Sequence, residues 1–118
     1  MRGYKIDQQE GKWMFQLFPN NSNRQEIGSS ALFDSYEECV AGVAKFRNLV
    51  LENHINSLAS TFVSVVKCGR EAFLEYRVDD QVIFRSRKYS SSSPTTLCRK
   101  CAESIYRYID AYTLKQVF

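Results

Sequence analysis

Two stretches of this chain of 118 residues carry one signature. Residues 11–18 read GKWMFQLF and residues 69–76 read GREAFLEY. Each opens on a glycine and a cation, and each has a Phe at its fifth place and an aromatic at its eighth. Such an echo restricts the chain to architectures in which one supersecondary unit occurs twice. A unit of about 55 residues would bury its apolar face poorly alone, so the two copies are expected to share a core.

The first copy begins with alternation. Tyr4, Ile6 and Gln8 form a short strand, and Glu10-Gly11 a turn. Trp13, Phe15 and Leu17 alternate with Met14, Gln16 and Phe18 in a second strand, rich in side chains that suit a pleated surface. Residues 19–23 are all turn formers and predict a loop. Residues 26–33 read as a third strand. The segment Ser35-Tyr36-Glu37-Glu38 is a capping box, and its two early carboxylates complement the helix dipole. Behind it Cys39, Val43, Phe46 and Val50 recur at helical spacing, which predicts a helix over 36–53.

The second copy has the same order. Phe62, Ser64 and Val66 alternate with Val63, Val65 and Lys67, and Cys68-Gly69-Arg70 makes a turn. Strands are expected over 71–78 and 81–89, joined at Asp79-Asp80. Pro94 after Ser93 suits a helix start, because its missing amide would be unpaired there anyway. Cys98, Cys101, Ile105, Tyr108 and Tyr112 then share one face, and residues 113–118 predict a final strand. The copies register piecewise. Gly11 matches Gly69 and Phe15 matches Phe73, Ile27 matches Ile83, Ser30 matches Ser86, Phe33 matches Tyr89, and Cys39 matches Cys98. These matches predict one domain with internal repeats 1–60 and 61–118, and place Phe15, Phe46, Phe73 and Ile105 in the core.

These pieces resemble the YegP-like family of small, uncharacterised bacterial proteins. The resemblance lies in Gly11-Lys12, Phe15 and Leu17, in residues 26–30 leading to Phe33-Asp34-Ser35, and in the helix segment 39–43. Ile83-Phe84-Arg85-Ser86 leading to Tyr89-Ser90-Ser91 repeats the pattern, while Cys101-Ala102 departs from the Gly-Ile pair of that family. The resemblance implies an α+β fold: a single antiparallel sheet from two pseudo-symmetric β-β-β-α-β repeats with exchanged C-terminal strands, and two helices packed on one face. It implies a monomer, because a tandem repeat supplies its own partner unit. It brings no activity and no ligand.

The composition narrows function further. No stretch is apolar enough to span a membrane, and the first residues lack the apolar run of a signal peptide, so a cytoplasmic protein is expected. In that setting the glycosylation pattern at Asn20 carries no meaning, and structural disulfides among Cys39, Cys68, Cys98 and Cys101 are not expected. Cys98 and Cys101 have zinc-ligand spacing but fall on an apolar helix stripe, so they read as core rather than as a metal or redox site. His54, the one histidine, sits where a helix end is capped, with no nucleophile patterned beside it. Glu37-Glu38 is explained by capping and Asp79-Asp80 by a turn. No catalytic residue and no cofactor is expected, and the chain reads as a binding or structural module.

One feature remains unabsorbed. Residues 1–61 hold 6 Lys/Arg against 7 Asp/Glu, while residues 62–118 hold 10 against 6. The candidate contact residues for an anion or nucleic acid are Arg85, Arg87, Lys88 and Tyr89, because a cationic strand with an aromatic beside it suits a phosphate backbone. An exposed strand kept soluble by its cations is the competing reading.

Overall fold

The computed structural model describes residues 2–19, 25–53 and 62–116. Most of the loop expected at 19–23 lies outside these residues, as do His54 and the last two residues of the expected final strand. The elements are β1 (Gly3–Gln9), β2 (Lys12–Phe18), β3 (Gly28–Ser30), α1 (Tyr36–Glu52), β4 (Val63–Cys68), β5 (Glu71–Val78), β6 (Gln81–Ser86), β7 (Tyr89–Ser90) and α2 (Pro94–Leu114). They make one antiparallel sheet in the order β1-β2-β3-β6-β5-β4, with β7 continuing beside β5. The fold is α+β, as expected.

Alternation decides which side of the sheet is covered. Phe15, Leu17, Ala72, Leu74, Tyr76 and Phe84 point to one face and are buried. Against them lie Cys39, Val43, Phe46 and Val50 of α1 and Cys98, Cys101, Ile105, Ile109 and Tyr112 of α2. Phe46 sits at the centre, its ring 4.6 Å from that of Phe84, 5.2 Å from Tyr76 and 5.9 Å from Phe15. The capping box holds: the Ser35 hydroxyl accepts from the Glu38 amide at 3.1 Å. At α2 the Ser93 carbonyl, not its side chain, accepts from Thr96 and Leu97.

The halves meet at β3 and β6. Gly28 pairs with Ser86, Ser29 with Arg85 and Ser30 with Phe84. Bonds around this seam recur in pairs. The Arg87 amide donates to Ile27 O at 2.7 Å, and the Ala31 amide donates to Ile83 O at 3.0 Å. The Phe15 amide donates to Ser30 Oγ at 2.9 Å, and the Leu74 amide donates to Ser86 Oγ at 2.8 Å. Each serine passes its own proton to the next residue's carbonyl. A buried hydroxyl thus replaces a strand partner on each side.

The last pair of bonds corrects the register of the echo. It matches Phe15 with Leu74, not with Phe73. The cause lies in the hairpin loops. Glu10 and Gly11 both have positive φ, 53° and 79°, so the glycine comes second, as in a type I′ turn. In Gly69-Arg70 the glycine comes first, with φ 63°. Aligning the two glycines therefore slips the strands by one residue, and a one-residue slip exchanges the faces. Phe73 is consequently half-exposed on the uncovered face, whereas Phe15, Phe46 and Ile105 are buried as expected.

Two further expectations change. The strand over 81–89 is broken: β6 stops at Ser86 and β7 resumes at Tyr89. The start of the final strand expected over 113–118 is displaced by helix, since α2 runs through Leu114 and Thr113 Oγ1 bonds back to Ile109 O at 2.8 Å. Among the described residues a parallel bridge crosses to the first half, Gln116 to Tyr4, with the Tyr4 amide donating to Lys115 O at 2.9 Å.

Gly28 is fixed by space. A Cβ there would stand 2.3 Å from Arg85 O and 2.8 Å from Phe84 Cε1. Alanine in a strand interior normally gains stability over glycine. At this position the gain is overridden, and Gly28→Ala should lose about 3 kcal/mol in urea melts, because backbone rather than a flexible side chain must move. An unchanged midpoint would place the seam elsewhere. Ser86→Ala and Ser30→Ala should each cost about 1–3 kcal/mol, since each orphans one buried amide. Chemical denaturation of the two single variants checks this.

Candidate functional site

No described helix or loop covers the other face of the sheet. Across it, Lys5, Gln16, Ser29, Arg85, Glu75 and Ser64 are successive partners from β1 to β4. The row is polar throughout and spans about 24 Å at the usual ~4.8 Å between strands. Met14 and Phe18 flank it on β2, Phe73 on β5 and Val66 on β4, all half-buried.

Glu75 is the unusual member. It is only 6% exposed although no described helix or loop lies over this face. A carboxylate this sheltered is costly unless both oxygens are satisfied. Arg77 Nε donates to Oε1 at 2.7 Å, with Nη2 also at 2.6 Å, and Arg85 Nε donates to Oε2 at 3.1 Å. Arg77 is further held by its Nη1 bond to Asp80 O at 3.2 Å. Arg85 engages the carboxylate through Nε alone, and its side chain is 58% exposed. Its guanidinium carbon lies 6.0 Å from the Phe73 ring centroid.

Beside Arg85 runs a groove of about 290 Å³, lined by Ser29, Ser30, Ala31, Val82, Phe84 and Arg85. It opens where the pairing of β5 and β6 jumps from Tyr76–Phe84 to Arg77–Val82. The extra residue, Ile83, is a β-bulge, which re-aims the strand around it.

The four residues expected to act together are divided. Arg85 lies on the open face. Tyr89 pairs with the buried Ala72 and reaches the Cys101 thiol of α2, on the helix side of the sheet. Arg87, outside any strand, leans on Tyr89 with its guanidinium carbon 5.1 Å from the ring. Lys88 is exposed between them. A strand unbroken over 81–89 would have set Arg85 and Arg87 on one side, and the break after Ser86 removes that condition. Two other cations, Lys67 and Arg70, line a wider groove of about 700 Å³ with Ser90, Ser91 and Ser92, ahead of Pro94.

Sequence reasoning missed Glu75, Phe73 and the row through Gln16 and Ser29. The helices carried the needed signal: Cys39 and Cys98 differ by 59 positions. The same offset applied to β2 would have put Leu74, not Phe73, opposite Phe15.

No family model matches the chain, and no curated protein matches it. Among solved structures it is similar to yegP from E. coli, a protein of unknown function whose structure was determined in solution by NMR. The superposition has a TM-score of 0.67, covering 98% of this chain and 89% of that one at 14% sequence identity. The fold is YegP-like. At that identity the likeness extends to architecture and to no residue's role.

Within the YegP-like scaffold three of the four cysteines belong to the core. Cys39, Cys98 and Cys101 are buried and Cys68 is exposed. Burial pushes the Cys39 and Cys101 thiols up to about 11 and raises Cys98 as well. Burial also raises the Tyr89 phenol, with the Cys101 thiol beside it adding to the effect. Among the described residues no three or more metal-binding side chains converge, and no described helix is long and apolar enough to cross a membrane. A thiol reagent at neutral pH should therefore modify one cysteine, Cys68, at once, and the other three only on unfolding. Mass spectrometry of the time course checks this. Because the folded thiols hold their protons beyond the ordinary value of 9.0, stability should be intact below that pH and fall as pH rises toward about 11.

Proposed function

We propose that this chain is a non-catalytic binding module for a polyanion, nucleic acid foremost, and that the open face of the sheet is the contact surface. The observation that carries the reading is Glu75. A nearly buried carboxylate commits both oxygens to two arginines on a face where neutral side chains would cost less. The arrangement fixes Arg85 before any ligand arrives, and a guanidinium already oriented loses less freedom on binding phosphate. The excess of cations in residues 62–118 adds attraction at longer range. On this reading the protein works as a monomer in the cytoplasm, where its four free cysteines stay reduced.

The test is a titration of a labelled mixed-sequence oligonucleotide at several salt concentrations. Affinity should fall steeply with salt. Arg85→Ala should lower the slope of log K against log salt by about one, since that slope counts phosphates neutralised. Arg87→Ala should lower it less, because Arg87 rests against Tyr89 rather than on the open face. Absence of binding at low salt, where charge attraction is least screened, would end the polyanion reading.

A further inference from the structure

We infer that the open face takes the unpaired bases of a single strand, laid across the sheet along the row from Lys5 to Arg85. This rests on the polyanion reading above and narrows it. Three observations converge.

The first is the chemistry of the row. Lys5, Gln16, Ser29 and Arg85 present an ammonium, an amide, a hydroxyl and a guanidinium in register on adjacent strands. An amide and a hydroxyl each both donate and accept, which is what base edges require and what phosphate oxygens, being acceptors only, do not. In a duplex those edges are paired or recessed in grooves that a broad sheet face cannot enter, whereas single strands can splay their bases onto a surface.

The second is Phe73. It stands half-exposed on the same face, two positions along β5 from Glu75, with the Arg85 guanidinium carbon 6.0 Å from its centroid. An aromatic ring beside a guanidinium supplies stacking for any base, and stacking needs a base that is not already stacked within a duplex. On the other side of Arg85 along the strand, the groove of about 290 Å³ offers a recess for a neighbouring base edge.

The third is charge. The row's one carboxylate, Glu75, is enclosed and has both oxygens held by arginines. The charges the row still offers are Lys5 and Arg85, both complementary to phosphate.

Fluorescence anisotropy with labelled oligodeoxythymidine and oligouridine, a duplex of equal length, and inorganic polyphosphate as competitor tests this. At least one of the two strands should bind about tenfold or more tighter than the duplex, and polyphosphate should compete poorly. Phe73→Leu, which keeps an apolar side chain against Val66, should weaken strand binding by roughly five- to a hundredfold while leaving the salt slope unchanged. Phe73→Trp, as a second variant, should retain binding. Gln16→Ala should weaken binding without changing the slope. Thermal melts of each variant confirm that it is folded. Equal affinity for strand and duplex, or a folded Phe73→Leu variant that binds like the parent, would overturn the single-strand inference. If binding then still falls with salt through Arg85, the polyanion reading survives it. Absence of binding to strand, duplex and polyphosphate alike at low salt would overturn both.

Discussion

Three residue pairs hold the two halves of the sheet in one plane. The pairing of β3 with β6 is Gly28–Ser86, Ser29–Arg85 and Ser30–Phe84, extended at its ends by the Arg87–Ile27 and Ala31–Ile83 backbone bonds, and everything outward from it depends on its register. Strands this short carry few ladder bonds, and each seam strand is also anchored by a side chain to its outer neighbour in its own half. Ser30 and Ser86 each reach over to an amide of the next strand, and each is nearly buried, where water competes least for the bond. Phe84, on the same seam, stacks on Phe46 of α1. The first half's helix thus grips the second half's central strand. Arg47 of α1 pairs with Asp110 of α2 and ties the two helices together at the surface.

The same seam aligns the open face. Because Ser29 and Arg85 are partners across it, the side chains of all six main strands fall into one registered row. A slip of one residue at β3 would send Lys5 and Gln16 out of line with Arg85 and Glu75, which stay paired with each other between β6 and β5. The candidate binding surface is therefore a product of the central pairing rather than of any single strand. That distinguishes it from a loop site, where each residue can be placed independently.

How much of this was legible follows from what each signal measures. Both helices were readable because capping and periodicity are local: Ser35 with Glu38, and the stripes through Phe46 and Ile105, need no knowledge of the rest of the chain. The order of strands was readable for a like reason, since alternation and turn residues are short-range. Their faces in β5 were not. Whether Phe73 points in or out depends on the loop at Gly69-Arg70, where the glycine occupies the first rather than the second turn position. Residue identity alone does not reveal that difference, but it moves every side chain of the strand. The clamp on Glu75 was hidden for the same cause: alternation from an inward Phe73 puts residue 75 on the inward face as well. The end of α2 was misread because Thr113 is β-branched and suits a strand, whereas its hydroxyl here satisfies the carbonyl of Ile109 within the helix.

The crowding at Gly28 decides what can pair with what. At the centre of a symmetric dimer both partners present the same residue, so a large side chain there must meet its own image. Here Phe84 occupies the space on one side, and the position answering to it on the other, Gly28, has no side chain at all. Neither half could rebuild this centre from two of its own kind: one pairing would leave an empty place, and the other would press two rings into room for one. The two halves are complementary at this point rather than alike, a lock and a key, and each supplies there what the other lacks.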